Sequence, residues 1–168
     1  MNTELLWPSG KLVAQVELVY RSKVKASQRP IVESSKDAAS ILFQYWNLDK
    51  IELLEEFKSM YLNQRGKVLA ISDNFSGGIS GGVADVRLIF AIALKLNAVS
   101  LVICHNHPSG DPKPSDADMM LTGKIMRCGR CLDYKLLDHI ILTKESYFSF
   151  ADNLILRQCI NIEERQEN

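Results

Sequence analysis

The feature that most constrains the fold is an apolar run at residues 98–104. A strand with one solvent-exposed face alternates apolar and polar residues, whereas this run is apolar at nearly every position and suits a strand buried on both faces. The preceding residues 83–97 place Val86, Ile89 and Phe90 on one side of a helix. A helix that leads into a doubly buried strand is typical of α/β proteins, in which helices cover both faces of a sheet.

Apolar periodicity elsewhere predicts further helices and strands. A helix is predicted over residues 35–46, with Ser34 or Ser35 as its N-cap. Asn63 and Gly66 are predicted to close a turn between two strands, because these residue types adopt the positive φ angles of a tight reversal. The predicted strands cover residues 12–20, 57–62, 67–72, 135–142 and 147–150, and the other predicted helices cover residues 115–129 and 152–160.

These elements fit one α/β fold, in which helices sandwich a mixed β-sheet. We expect an N-terminal strand and helix at residues 1–50 to pack on a main domain at residues 51–160, followed by a polar tail at residues 161–168. A chain of 168 residues is long enough to bury a core of this kind.

Composition narrows the class of protein. Lys plus Arg and Asp plus Glu number 20 each, so the molecule as a whole has no field that attracts nucleic acid or anionic lipid. The N-terminus lacks the pattern of a signal peptide, and no apolar run approaches the roughly 18 residues of a membrane span. Four cysteines are too few for the disulfide framework of a small secreted domain. We therefore expect a cytoplasmic protein with reduced thiols and no membrane partner.

The segment after the buried strand carries the residues of a metal site. His105 and His107 are two residues apart on extended backbone, so both imidazoles project to the same side. If Ser115 opens the next helix, Asp118 lies in its first turn, where the helix dipole favours a carboxylate. Two nitrogens and one carboxylate oxygen leave the fourth position of a Zn²⁺ ion open, as in catalytic zinc sites.

A purely structural interpretation accounts for part of this pattern. Ser115 and Asp118 have the spacing of a capping box, which stabilises the start of a helix without any metal. That interpretation leaves His105 and His107 unexplained, although the chain has only three histidines. The sequence therefore favours a metal site over a helix cap alone.

The same residues resemble a known family. The string HNHPSG at residues 105–110, the serine and aspartate that follow it, and DHIIL at residues 138–142 are similar to the JAMM (MPN-plus) motif of RadC-like proteins. The resemblance covers roughly residues 53–156. It implies a cytidine-deaminase-like JAB (MPN) fold, zinc on His105, His107 and Asp118, and hydrolysis of a peptide or isopeptide bond in a protein or peptide substrate.

The resemblance also implies two catalytic side chains. Ser115 is expected to stabilise the reacting centre, as a donor to the developing oxyanion. The E-x-F strand of the family matches residues 55–57, which nominates Glu55 as the general base. Glu56 is the alternative. Because successive strand residues point to opposite faces, only one of these two glutamates can face the metal.

Other motifs are assigned no catalytic role. Cys128 and Cys131 form a CxxC, but the zinc deaminase signature has a glutamate where His107 stands and a proline where Arg127 stands. His139 lies on a predicted strand and is interpreted as a hydrogen-bonded core histidine, with contact to a metal ligand as the alternative.

Two further segments bear on ligands. The glycine-rich loop at residues 77–82 is interpreted as a mobile turn, and the resemblance places such a loop at the border of a substrate groove, ahead of the helix with Arg87. The basic cluster is interpreted as a solvated connection, with nucleic-acid contact as the alternative. Its members are Arg21, Lys23, Lys25 and Arg29.

Three functions therefore compete. The first is a zinc peptidase or isopeptidase, which uses the complete set of ligands and base. The second is a nucleic-acid-handling protein, suggested by the association of the RadC name with DNA repair and disfavoured by the zero net charge. The third is a metal-binding module without turnover, disfavoured by the intact set of His105, His107, Ser115 and Asp118.

Overall fold

The computed structural model describes residues 23–76 and 84–160. Within this part of the chain, five strands form one sheet: β1 (Glu56–Leu62), β2 (Val68–Ser76), β3 (Ser100–Asn106), β4 (Lys135–Leu142) and β5 (Tyr147–Ser149). Their order across the sheet is β2-β1-β3-β4-β5. The β3–β4 pair is parallel and the other neighbouring pairs are antiparallel. The prediction of a mixed sheet is therefore confirmed.

Three longer helices cover the sheet: α1 (Ser35–Gln44), α2 (Val86–Leu96) and α3 (Asp116–Cys131). Residues 26–28 form a short 3-10 helix, and residues 156–160 are helical up to the end of the described chain. On one face, Leu42 of α1 belongs to a core cluster with Met60 and Val102 of the sheet. On the other face, residues of α2 and α3 pack on Ile103 and its neighbours. Helices thus lie on both sides of the sheet, as predicted.

The central strand β3 is buried along its whole length, as its apolar composition predicts. It extends two residues beyond the predicted end and includes His105 and Asn106. Parallel pairing with β4 through Leu142 supports this extension, because each added residue gains a ladder partner. The strand therefore delivers His105 to the site from a rigid, doubly covered position.

Several element boundaries differ from the predictions. The α1 helix ends at Gln44, and Ser34 is its N-cap because its side chain forms a reciprocal capping box with Asp37. The second strand continues to Ser76 rather than ending at Ser72. The last helix begins at residue 156 rather than 152, because residues 150–154 form turns and Leu154 adopts a φ of 58°.

The hairpin turn is present, but only one of its two predicted residues has a positive φ. Gly66 has a φ of 69°, whereas the non-glycine residues with positive φ in the described chain do not include Asn63. Asn63 contributes its side-chain oxygen instead, which accepts hydrogen bonds from the backbone N–H groups of Arg65 at 2.9 Å and Lys67 at 3.1 Å. The side chain thus replaces backbone partners within the turn.

Three predicted segments lie outside the described residues: the strand at residues 12–20, the glycine-rich loop at residues 77–82 and the tail at residues 161–168. The division of the chain at residue 50 stays a prediction. Among the described helices, none has the length and apolar character needed to cross a bilayer.

Candidate metal centre

Two of the predicted ligands lie at the carboxyl end of β3. His105 is a strand residue with 1% of its surface exposed, and its ring stacks on that of Phe57 from the neighbouring strand. His107 follows the strand directly, and its backbone N–H donates to the carbonyl of Leu142 at 2.9 Å. This bond continues the β3–β4 ladder by one step, so the two imidazoles lie on the same side of extended backbone.

The third predicted ligand, Asp118, reaches the histidines from the first turn of α3. Its Oδ1 lies 3.1 Å from Nε2 of His105, and its Oδ2 lies 3.6 Å from Nε2 of His107. The two Nε2 atoms are 3.0 Å apart. Ligand atoms of these three residues all lie within 4.8 Å of one another, and they form the one His/Cys/Asp/Glu group of this kind in the described chain.

The chemistry of the donors fits a metal ion. Nδ1 of His107 lies 2.7 Å from the backbone carbonyl of Asp111, which only accepts hydrogen bonds, so Nδ1 carries the proton. In the neutral ring, Nε2 of His107 is then the nitrogen with the lone pair, and it faces the cluster. Two imidazole nitrogens and a carboxylate oxygen match the ligand preferences of Zn²⁺ and similar divalent ions. His105, His107 and Asp118 can therefore hold a metal together.

The capping box and the metal cluster occupy the same residues. Ser115 is the N-cap of α3, its Oγ donates to Oδ2 of Asp118 at 2.6 Å, and its backbone N–H donates to the same oxygen at 2.7 Å. These bonds orient the Asp118 carboxylate and leave Oδ1 facing His105. The structural interpretation and the metal interpretation are thus compatible, because the cap positions the ligand.

The surroundings of Asp118 stabilise its ionised form, and Asp118 in turn stabilises positive charge on the neighbouring imidazole of His107. Burial raises the pKa of Asp118, but in the metal-free protein hydrogen bonds from the Nε2–H groups of His105 and His107 outweigh burial and hold this pKa well below its usual range. The hydrogen bond to Asp118 in turn raises the pKa of His107, and the negative charge of Glu55 adds to that rise. A bound cation satisfies the same electrostatic demand.

The two candidate glutamates have different surroundings. Glu55 directly precedes β1, is partly buried and lies close enough for its charge to act on His107. Glu56 is buried, and its Oε2 lies 3.8 Å from the ammonium of Lys58, which sits 4.9 Å from the centre of the Trp46 ring. Trp46 belongs to the core cluster on the α1 face. Glu56 therefore points away from the face of the sheet that carries His105.

Asn106 was not singled out in the sequence, yet it holds the segment that carries Glu55. Its side-chain N–H groups donate to the carbonyls of Ile51 at 2.6 Å and Leu54 at 2.9 Å, and its oxygen accepts from the backbone N–H of Glu56 at 2.7 Å. The signal available in the sequence is its position between two ligands, which turns it to the opposite face of the strand.

Two more residues complete the surroundings of His105. His139 is a fully buried, hydrogen-bonded histidine, as predicted. Its Nε2 also lies 2.9 Å from Nδ1 of His105, so it has in addition the contact with a predicted ligand that was the alternative. Burial lowers the pKa of His139 well below its usual range. Thr122 contacts His139 and follows Asp118 by one helical turn, a spacing that places both on one face of α3.

The remaining motifs lie apart from this centre. All four cysteines are free thiols, with Cys104 and Cys159 buried and Cys131 exposed at the end of α3. Of the basic cluster, Lys23 and Lys25 are exposed, which agrees with a solvated connection, and Arg29 is half-buried. Arg21 lies outside the described residues.

Comparison with known proteins places the chain in a family. A model described as RadC-like JAB domain matches residues 32–155, which includes α1 as well as the segment with the ligands. A UPF0758 protein of Flavobacterium johnsoniae is 41% identical over 143 residues, which are 84% of this chain and 61% of that protein. A UPF0758 protein of Clostridium novyi is 36% identical over 149 residues, which are 88% of this chain and 64% of that protein.

The chain spans about three fifths of the length of these curated relatives. The family match agrees with the mixed α/β sheet described above and confirms the JAB-type fold implied by the HNHPSG and DHIIL strings. The chain belongs to the RadC-like JAB domain family.

Proposed function

We propose that this chain is a zinc-dependent hydrolase of the JAMM type that cleaves a peptide or isopeptide bond. The observation that carries the proposal is the convergence of three ligand atoms from His105, His107 and Asp118, which lie within 4.8 Å of one another. The pKa of His107 is raised by its hydrogen bond to Asp118 and also by the negative charge of Glu55, which supports a place for Glu55 near this cluster. Zinc supplies a Lewis acid and lowers the pKa of water that it binds to about 7.

Glu55 is the proposed general base. It takes a proton from the attacking water as the oxygen bonds to the carbonyl carbon of the substrate, and it returns that proton to the nitrogen as the C–N bond breaks. Glu56 is unsuited to this role because Lys58 pairs with it on the opposite face of the sheet. The products are one carboxylic acid and one amine.

Ser115 is the proposed donor to the oxyanion of the reacting carbonyl. Its hydroxyl donates to Asp118 in the structure, so donation to substrate requires rotation about the Cβ–Oγ bond. Ser115→Ala separates two roles. A loss of about 10²–10³ in kcat at unchanged zinc affinity indicates an oxyanion donor, whereas weaker zinc binding indicates that Ser115 orients Asp118.

The first test is metal content. Protein purified without chelator is expected to contain one zinc per chain, and His107→Ala is expected to lose it. Elemental analysis of both proteins measures this directly. Equal and negligible zinc in the two proteins contradicts the metal site and with it the proposed reaction.

The second test is hydrolysis. Peptide libraries and lysine-isopeptide libraries, analysed by mass spectrometry, serve as substrates for the zinc-loaded chain. Glu55→Gln is expected to abolish cleavage, and Glu56→Gln is the matched control that retains it. Cleavage that survives Glu55→Gln contradicts the assignment of the base. Zinc binding without any cleavage favours a metal-binding module, and binding to DNA with a steep salt dependence favours nucleic-acid handling.

A further inference from the structure

A series of buried hydrogen bonds joins two of the proposed metal ligands, His105 and Asp118, through the side chains of His139 and Thr122. Nδ1 of His105 lies 2.9 Å from Nε2 of His139, and Nδ1 of His139 lies 2.7 Å from Oγ1 of Thr122. Oγ1 of Thr122 donates in turn to the backbone carbonyl of Asp118 at 2.6 Å. His139 and Thr122 are both 0% exposed and His105 is 1% exposed, so water does not compete for these bonds.

The donor and acceptor of each hydrogen bond in this series follow from the group at its end, the backbone carbonyl of Asp118, which can only accept. The Asp118 carbonyl has no proton, so Thr122 spends its single hydroxyl proton there and must accept from Nδ1–H of His139. The His139 ring is 0% exposed and neither of its nitrogens contacts a carboxylate, so the neutral imidazole with a single N–H is the favoured form, which leaves Nε2 of His139 as an acceptor. His105 must therefore carry a proton on Nδ1. In the neutral ring this leaves the lone pair for a metal on Nε2, the nitrogen that faces Asp118 and His107.

We infer that His139 and Thr122 are positioning residues that hold His105 in the Nδ1–H tautomer, with Nε2 directed at the metal. The inference rests on the proposed metal site. Metal-bound histidines commonly donate their second N–H to a carboxylate or a backbone carbonyl, which can only accept. A neutral histidine can donate or accept through the same ring nitrogen, depending on its tautomer. His139 therefore accepts reliably from His105 only if its own proton is held on Nδ1. Thr122 holds it there by accepting a hydrogen bond from that N–H.

The surrounding packing holds the His139 ring in the required plane. Its ring stacks on Phe150, with 4.5 Å between centroids and 23° between planes, and Phe57 lies on another side at 6.1 Å. Thr122 lies four residues after Asp118, so the helix that carries a ligand also carries the residue that orients the opposite ligand. The helix α3 thus supplies one ligand, Asp118, and through Thr122 and His139 also orients the ligand His105 on β3.

The direct test needs no mutation. The chain has three histidines, so long-range ¹H–¹⁵N spectra of the wild-type protein resolve each ring. With zinc bound, His105 and His107 are expected to show protonated Nδ1 and metal-shifted Nε2, and His139 is expected to show protonated Nδ1 and a bare Nε2. The spectrum of His139→Gln assigns the third ring. An Nε2–H tautomer of His139 in the zinc-loaded protein overturns the inference.

A matched pair of variants tests the consequence for the metal. Thr122→Val removes the hydroxyl at constant shape, so His139 is expected to move its proton to Nε2 and force the proton of His105 onto the nitrogen that faces the metal. The zinc dissociation constant, measured by chelator competition, is expected to rise about 10–100-fold. Thr122→Ser keeps the hydroxyl and is expected to retain wild-type affinity and tautomers.

The outcomes separate this inference from the proposed function. Wild-type protein that binds no zinc overturns the metal site itself. Wild-type protein that binds zinc, together with a Thr122→Val variant of equal affinity and unchanged tautomers, overturns only the roles of Thr122 and His139. A general packing defect in Thr122→Val lowers the urea midpoint of the metal-free protein without moving the His139 proton, and this result also counts against the inference.

Discussion

Replacing Asn106 by alanine tests how the segment that carries Glu55 is held. The substitution leaves the carbonyls of Ile51 and Leu54 and the N–H of Glu56 without their partner, and Asn106 itself is 0% exposed. A buried backbone group without a partner costs about 1–3 kcal/mol. Since the three losses are not fully additive, the expected decrease in the free energy of unfolding is about 3–5 kcal/mol.

This decrease is measurable in a folded protein. Domains of this size have a free energy of unfolding of about 5–15 kcal/mol, and 1 kcal/mol shifts Tm by roughly 2–4 °C. Asn106→Ala is therefore expected to lower Tm by about 6–20 °C in differential scanning calorimetry. Hydrolysis is expected to fall because Glu55 loses its fixed position, while zinc affinity changes little because no ligand contacts the Asn106 side chain.

Asn63→Ala is the matched control for this substitution. Asn63 also accepts hydrogen bonds from two backbone N–H groups, at 2.9 and 3.1 Å, but in a turn where water can replace it. Its expected cost is only about 0.5–1.5 kcal/mol. Equal Tm values for Asn106→Ala and the wild type, or equal losses in the two alanine variants, would show that Asn106 does not tether the segment.

Three further predictions concern other parts of the chain. Gly129→Ala should cost about 1–3 kcal/mol in urea unfolding, because its Cβ would lie 2.9 Å from the carbonyl oxygen of Tyr134; an unchanged midpoint refutes the close approach. The hydrogen bond from the Ser34 hydroxyl lowers the pKa of Asp37 in the folded protein. The stability that this bond contributes is complete above the pKa of Asp37 in the unfolded chain, about 3.9, and is lost as the pH falls through the lower pKa of the folded state. The Tm difference between wild type and Ser34→Ala should therefore narrow below about pH 4, and a constant difference contradicts this linkage. Zinc at 100 times its Kd should add about 2.7 kcal/mol to the free energy of unfolding, and neither chelator-treated protein nor His107→Ala should show this gain.

The sequence predicted those features that depend on local pattern. The apolar run before His105 forms a buried strand, as predicted. A strand with one solvent-exposed face would carry polar residues at alternate positions, which this run lacks. Ser115 caps α3 as its spacing with Asp118 indicates, since a capping box involves residues within one turn. Element ends were less accurate because strand length depends on partners, as in β2, which continues to Ser76 along β1.

Contacts between distant segments could not be read from the sequence. The hydrogen bond between His105 and His139 joins residues 34 positions apart, and the hydrogen bond that Glu56 N–H donates to Asn106 joins residues 50 positions apart. Neither His139 nor Asn106 differs in local pattern from an ordinary core residue. Their roles follow from strand order and register, which place β1 and β4 on either side of β3.

The metal-site pattern was therefore available from the sequence alone, because its three side chains come from one strand end and the next helix turn. The HNHPSG string, Ser115 and Asp118 lie within 14 consecutive residues, 105–118, so local geometry is enough to bring them together. The tertiary structure decided that Glu56 lies with Lys58 on the face away from His105, and that His139 contacts His105. Both depend on the packing of segments that are distant in the sequence. Burial excludes water from these side chains, so their polar atoms must form hydrogen bonds or ion pairs with the protein groups that the fold places beside them.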